Sequence, residues 1–289
     1  MKSLCLFASY FTKQEIPYYI TVYLKELKKH YTEVVFLTSQ EKLSPGSLQF
    51  LESENLALLL VENKGFDFGQ WYQAFRRVSI HNYDQIVLVN DSCILFKPLD
   101  EFITWSATNK ADVQGITLSE AIYPHIQSYF LVLNKKAIAL TWEYFQKHKI
   151  KESISDVIHT YEVGLNKFLQ EQGLKIAAFI DNNGYKGEFS PYYYCVDYHL
   201  SKGIPLIKKK IIFSSYRRSE LSTLARMIYN INPNDYLTKI SKEGKNLIID
   251  LKRLIGVGEA MTKIDRINYS LLRLFYRVAK PIYKLIKGT

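Results

Sequence analysis

Cysteine is scarce: Cys5, Cys93 and Cys195 are the only three in 289 residues, an odd number with no metal-like spacing. A structural zinc site takes about four ligands and a disulfide framework takes paired, regularly spaced thiols, so neither organises this chain. Buried thiols in a reducing compartment are the expectation. Long apolar runs are missing as well. No stretch approaches the roughly 18 to 20 apolar residues that cross a bilayer, so a soluble or peripheral protein is expected. The opening MKSLCLFASYF has one lysine and a short apolar run but no small-residue cleavage site, and it is read as a first strand rather than a signal peptide. Neither common phosphate-binding fingerprint occurs: no Gly-Lys-Ser/Thr closes a Walker A loop, and G-x-G-x-x-G is absent. There is no internal repeat and no low-complexity linker.

What is present is the composition of a folded protein, 47% hydrophobic and 23% charged. The net charge is +10, unevenly spread. Residues 263 to 289 carry Lys263, Arg266, Arg273, Arg277, Lys280, Lys284 and Lys287 against Asp265 alone, more than half of the excess. A second basic cluster, Lys208-Lys209-Lys210 with Arg217-Arg218, precedes it. From Leu221 onward the pattern is helical and amphipathic, and Ile267, Leu271, Leu274, Phe275, Val278, Ile282 and Leu285 form one stripe with Pro281 as a kink. Cations off an apolar stripe suit a helix lying in a membrane interface; the alternative is a helix closing over the core domain or a partner.

Before that tail the chain alternates strand and helix. Strands are predicted at Leu4 to Ala8, Val34 to Leu37 and a buried Leu56 to Val61, then at Ile86 to Val89, Val113 to Thr117, Ile126 to Leu133 and Lys175 to Ile180. Helices fall between them: one through Tyr19, Val22, Tyr23 and Leu27; one opened by Ser44-Pro45; one through Trp71, Phe75 and Val78; then Leu99 to Trp105, Ala137 to Phe145 and Ile158 to Gln172, stopped by Gly173. Asp181 to His199, rich in Asn, Gly, Tyr and Pro, reads as an ordered loop, and the core is expected to end near residue 200. A β-α-β-α-β progression predicts an α/β fold, a mostly parallel sheet with helices on both faces.

In such sheets ligands bind beyond the carboxyl ends of the strands, and two polar loops are released there. Asn63-Lys64-Gly65-Phe66-Asp67-Phe68-Gly69 follows the third strand, and Asn90-Asp91-Ser92 ends the fourth. Glycines in a strand-to-helix turn permit φ > 0 and close backbone approach, and the helix start presents N–H groups to anions; a plain tight turn reads equally well. Asn90-Asp91-Ser92 is an oxygen-rich cluster able to hold a hard cation bridging two phosphates, or a turn or helix cap. The expectation is that these neighbouring strand tips share one pocket, with Asp91 facing it.

The order Asn-x-Gly-Phe, helix, then Tyr-Asp, an apolar strand and Asn-Asp-Ser resembles the nucleotide-sugar half of GT-A glycosyltransferases. More closely, FASYFTKQEIPYYITVYLKELKKHY, ENKGFDFGQWYQAF, YDQIVLVNDS, GIT, HIQSYFLV and YEVGL resemble the rhamnan synthesis F family of bacterial polysaccharide rhamnosyltransferases, over roughly residues 3 to 200. The chain departs from that pattern at Gln114 and across Cys93 to Lys97. The resemblance implies a GT-A-like catalytic domain over 1–205 and a basic helical region over 206–289. It implies transfer of a deoxyhexose, rhamnose from a dTDP donor first, to a lipid-linked or growing surface polysaccharide at the cytoplasmic face of the membrane.

The roles it implies are specific. Ala8, Ser9 and Tyr10 line the base pocket, and Asn63, Gly65 and Asp67 hold the nucleoside. Asp91 ligates Mg²⁺ or Mn²⁺, with Asn90 and Ser92 orienting the diphosphate. Glu162 is the base for the acceptor hydroxyl in an inverting step, with Asp156 as substitute, and His125, Gln127 and Ser128 meet sugar hydroxyls; by residue type alone, a helix-start Glu also reads as a solvated dipole partner and a lone His as structural. A scaffold subunit with a degenerate sugar-nucleotide pocket is the alternative, because Asn90 replaces the first acid of the usual metal motif. A nucleic-acid partner is not expected, since the positive charge lies on an amphipathic helix rather than a known binding fold.

Overall fold

Side-chain alternation along the first strand divides the apolar interior into two layers. The computed structural model describes residues 1–120, 122–182 and 196–209. Every residue of β1 (Ser3–Ser9) is buried, and successive side chains leave a strand on opposite faces. Cys5 and Phe7 enter one core cluster, while Leu4, Leu6 and Ala8 enter the other. The elements that follow are α1 (Tyr18–His30), β2 (Glu33–Thr38), α2 (Pro45–Ser53), β3 (Ala57–Leu60), α3 (Phe66–Arg77), β4 (Gln85–Asn90) and β5 (Cys93–Leu95). Next come α4 (Asp100–Thr108), β6 (Val113–Ser119), β7 (His125–Ile126), β8 (Phe130–Asn134), α5 (Lys135–Lys147), α6 (Ile154–Val157), α7 (Gly164–Glu171) and β9 (Ile176–Ile180). The helix α8 (Val196–Ser201) and the strand β10 (Leu206–Lys208) complete the described chain.

The main sheet runs β3-β2-β1-β4-β8-β6-β7, with β9 paired to β6. Strands β1, β2, β3 and β4 are mutually parallel, and β9 is parallel to β6; β8 lies antiparallel between β4 and β6. Residues from α1, α2 and α4 share the layer of Cys5 and Phe7, and those from α3, α5 and α7 share the layer of Leu4 and Leu6. This is the mostly parallel α/β sheet with helices on both faces that the sequence predicts. Its helix starts follow local chemistry: Ser44 caps α2 by accepting from Ser47 N, and Asn134 caps α5 by accepting from Ala137 N. Glu26, buried in α1, accepts from Leu99 N at 2.7 Å and from Lys29 Nζ at 2.8 Å, tying α1 to the start of α4.

Four expectations change. The Leu56 to Val61 segment is not a buried strand: β3 is four residues long and, among the described residues, an edge paired only with β2, and Leu58 and Leu60 are 37% and 43% exposed. The run Ile126 to Leu133 is two strands, β7 and β8, parted at Gln127 to Tyr129. The helix of Ile158 to Gln172 starts earlier and is composite: α6, a π-helical turn over Ile158–Val163, then α7, ended by Gly173 at φ +78°. The core also continues past residue 200, because His199 lies in α8 and β10 pairs antiparallel with β5. The rest of the loop, 183–195 with Cys195, and the tail from 210 onward lie outside the described residues.

Candidate functional site at the carboxyl edge of the sheet

The glycine loop is built by packing. Gly65 caps α3 in the left-handed region, φ +72° and ψ +24°, where a side chain is disfavoured. A Cβ on Gly69 would lie 1.8 Å from the Lys64 carbonyl, and one on Gly65 would lie 2.5 Å from Ile150 Cγ2. Both glycines therefore serve close contacts within the protein, and Gly69 is present to let the loop fold onto its own helix. The result aims Asp67 at the sheet edge. Asn63 is exposed on the loop before the helix.

At the tip of β4 the same alternation that divides the core separates two neighbours. Ile86 and Leu88 lie in the α3 layer, Val87 and Val89 in the α1 layer; Asn90 accordingly meets α3, and Asp91 meets α1. Asn90 Nδ2 donates to Asp67 Oδ2 at 2.5 Å, and Asn90 Oδ1 accepts from Ser92 N and Oγ at 3.1 and 2.6 Å. Burial pushes the Asp67 carboxyl up to about 6, against the Asn90 amide, which favours the charged form; the charge of Glu162 adds to the rise. Asp91 Oδ2 accepts from Tyr19 Oη at 3.1 Å and from Lys209 Nζ at 3.1 Å. The strand tips of β3 and β4 are thus not neighbours in the sheet, since β2 and β1 intervene. The glycine loop reaches the β4 tip through Asp67 and Asn90, and the contacts of Asp91 lie on the other side.

Glu162 closes the Asp67 side. The π-helical turn carries it to the β7–β8 junction, where Oε1 accepts from Ser128 N at 3.1 Å. His125 Nε2 lies 4.0 Å from the same oxygen, and its Nδ1 is 2.7 Å from the Tyr123 carbonyl. A carbonyl only accepts, so Nδ1 carries the proton there. Glu162 Oε2 makes no hydrogen bond among the described residues. Phe68 and Tyr161 stack at 5.4 Å, locking the start of α3 to this turn. Gln127 is buried, its amide oxygen accepting from Thr117 Oγ1 at 2.9 Å. Asp156 is exposed in the first turn of α6, where its N–H donates to Ser153 Oγ, apart from these groups.

At the β1 tip, Ala8 is the register partner of Asn90, and its carbonyl accepts from Asp91 N at 3.1 Å. Ser9 is held by Gln70, which accepts from Ser9 N and donates to Ser9 O, both at 3.1 Å. The Ser9 hydroxyl is buried with no partner among the described residues, and Tyr10 beside it is 54% exposed. Gln70, Tyr19 and Lys209 are residues of this edge that sequence reasoning missed. Lys209 stands out only as part of a basic cluster, Tyr19 fits a plain amphipathic helix, and Gln70 carries no signal.

The Mg²⁺ or Mn²⁺ expected at Asp91 finds a poor donor set. Its one carboxylate is paired with an ammonium, Asn90 holds Asp67 instead of offering a second acid, and no group of three His, Cys, Asp or Glu gathers among the described residues. Hard divalent ions take several oxygen ligands, and the described residues do not fit that need.

Comparison with curated proteins returns no match. Among solved structures, the glucosyl-3-phosphoglycerate synthase of Mycobacterium tuberculosis in complex with Mn²⁺ and UDP-glucose is similar at TM-score 0.42 and 11% identity, over 62% of this chain and 69% of that one. The inositol-1-phosphate CTP transferase of T. maritima is similar at 0.40 and 15%, over 63% and 85%. The 4-diphosphocytidyl-2C-methyl-D-erythritol synthase of Anaerococcus prevotii is similar at 0.39 and 11%, over 65% and 92%. Likenesses this loose carry no argument about activity. The model for rhamnan synthesis protein F matches residues 35–250, well over half of the chain, from within β2 to beyond β10. The α3 entry, the β4 tip, the π-helical turn and Lys209 all fall inside that match, and this chain belongs to the rhamnan synthesis protein F family.

Proposed function

We propose that this protein is an inverting glycosyltransferase that moves a deoxyhexose from a nucleoside-diphosphate sugar, dTDP-rhamnose first among donors, to a lipid-linked or growing surface polysaccharide. Family membership supports glycosyl transfer as the activity. The single observation that carries the mechanism is the meeting of Asp67, Asn90 and Glu162 at one strand edge, with Glu162 Oε2 unbonded among the described residues. Glu162 takes the proton of the acceptor hydroxyl as its oxygen bonds to the anomeric carbon and the diphosphate leaves. The Ser128 N–H holds the carboxylate in place. Ser9, with its buried unpartnered hydroxyl, and Tyr10 face the nucleoside in this scheme, because a buried polar group without a partner costs about 1–3 kcal/mol unless a ligand meets it.

The catalytic unit in this scheme runs through Lys209. The basic stripe of 264–286, which lies outside the described residues, is assigned to the anionic cytoplasmic leaflet where lipid-linked acceptors are made. No helix of the described residues is long and apolar enough to cross a membrane.

Thermal shift of the full chain against a panel of nucleotide sugars, with and without Mn²⁺, identifies the donor, since a ligand of the folded state raises apparent stability. With that donor, Glu162→Gln is expected to keep binding while transfer falls about 10²- to 10⁴-fold. Tight donor binding with neither transfer nor donor hydrolysis in the wild type would instead favour the scaffold, for which Asn90 in place of the first acid already speaks.

A further inference from the structure

We infer that Lys209 supplies the cation that meets the donor diphosphate, the task expected of a divalent ion at Asp91; this rests on the glycosyltransferase function proposed above. Lys209 Nζ lies 3.1 Å from Asp91 Oδ2 and 2.7 Å from Tyr19 Oη, and Tyr19 itself donates to Asp91. The pair is sheltered, with side-chain exposures of 27% for Lys209 and 15% for Asp91.

The fold over-determines this contact. Strand β10 pairs antiparallel with β5, placing Lys208 opposite Cys93, and Lys209 N then donates to Ser92 O at 2.8 Å. Phe96 N donates to the Pro205 carbonyl at 3.0 Å at the other end of the pairing. Leu206 and Ile207 are buried between these anchors. A loose surface lysine would contribute little; this one is stitched by backbone to the residue that follows Asp91.

Charge accounting explains why the lysine and Asn90 occur together. Two acids at a strand tip balance a divalent cation. Here Asn90 is neutral and spent on Asp67, so the single charge of Asp91 is matched by the single charge of Lys209. A divalent ion would have to displace an ammonium from the lone carboxylate. An ammonium has three N–H donors; among the described residues Asp91 and Tyr19 take two, which leaves one for a phosphate oxygen. As the bond from the anomeric carbon to the phosphate oxygen breaks, its electron pair stays on that oxygen, and the Lys209 cation stabilises the new charge. The acceptor proton goes to Glu162. Asp91 and Tyr19 are positioning residues that hold the ammonium.

The test is calorimetric binding of dTDP, UDP and GDP to the full chain in EDTA and again in Mn²⁺ or Mg²⁺. At least one nucleoside diphosphate is expected to bind with the same affinity in EDTA as in metal. Lys209→Met should weaken that binding about 10- to 100-fold, the size of a charged hydrogen bond, with Lys209→Arg restoring most of it. Asp91→Asn should weaken it less than Lys209→Met. Binding that requires added metal, with Lys209→Met indistinguishable from wild type, would overturn the role of Lys209 and leave the glycosyltransferase standing. Failure of all three nucleotides to bind under any condition would bring down both. Should Lys209→Met not fold, the EDTA comparison on the wild type and the Lys209→Arg variant decide the matter.

Discussion

Asp67 is where a stability cost meets the proposed donor site. Its carboxyl is held up at about 6 by burial, well above the ordinary 3.8. The folded state therefore binds that proton more tightly than the unfolded chain does, so stability falls as pH rises from about 4 to about 6, and the full cost is present above that window. Asp67→Asn is expected to stabilise the protein by on the order of 2 kcal/mol above about pH 7 and by little near pH 4, while donor binding drops. Denaturant unfolding at the two pH values checks this, and an equal gain at both would show that the carboxyl is not titrating in that window. At this scale the sequence was informative about residue type and silent about direction. Asp67, Asn90, Asp91 and Glu162 are all legible as candidates; that Asn90 turns to α3 and Asp91 to α1 follows from alternation only once the faces of the sheet are known.

The α3 entry shows the same division at the level of an element. The strand-to-helix turn is legible from its glycines, and φ +72° at Gly65 agrees with it. The purpose of Gly69 is not legible, because the 1.8 Å approach to the Lys64 carbonyl exists only after the loop folds back. Gly69→Ala is expected to cost about 3 kcal/mol or more, since backbone cannot yield as a flexible side chain does; a chemical-denaturation midpoint near that of the wild type would refute it. An element with a strong local signal, the Ser44-Pro45 start of α2, appears where the sequence places it. The edge position of β3 is a property of pairing rather than of its own residues. The break after β7 depends on distant partners: Ile126 N donates to Asn166 Oδ1 at 3.0 Å and Ser128 N to Glu162.

For the whole molecule, the unexpected joint is β10. It brings residues 206–209 back beside β5 and completes the Asp91 surroundings from 118 positions away in the chain. A chain ending at Pro205 is expected to be about 3–6 kcal/mol less stable than one ending at Lys209, because Leu206 and Ile207 are both buried. That is a large share of a typical domain's stability. Comparing urea midpoints of the two truncated chains measures it, and identical midpoints would mean that β10 is a passive appendage.

From residue order alone came the α/β alternation, the loops released at the strand ends, the candidate acids and the family resemblance. All of these are local or periodic, and periodicity is written along the chain. Only the tertiary structure decided which of those acids face one another, that the glycine loop meets the β4 tip through Asn90, and that a lysine from beyond the expected domain boundary sits on Asp91. Those are long-range contacts, fixed by strand pairing and by which side of the sheet each side chain leaves, and no pattern within a short window of sequence encodes them.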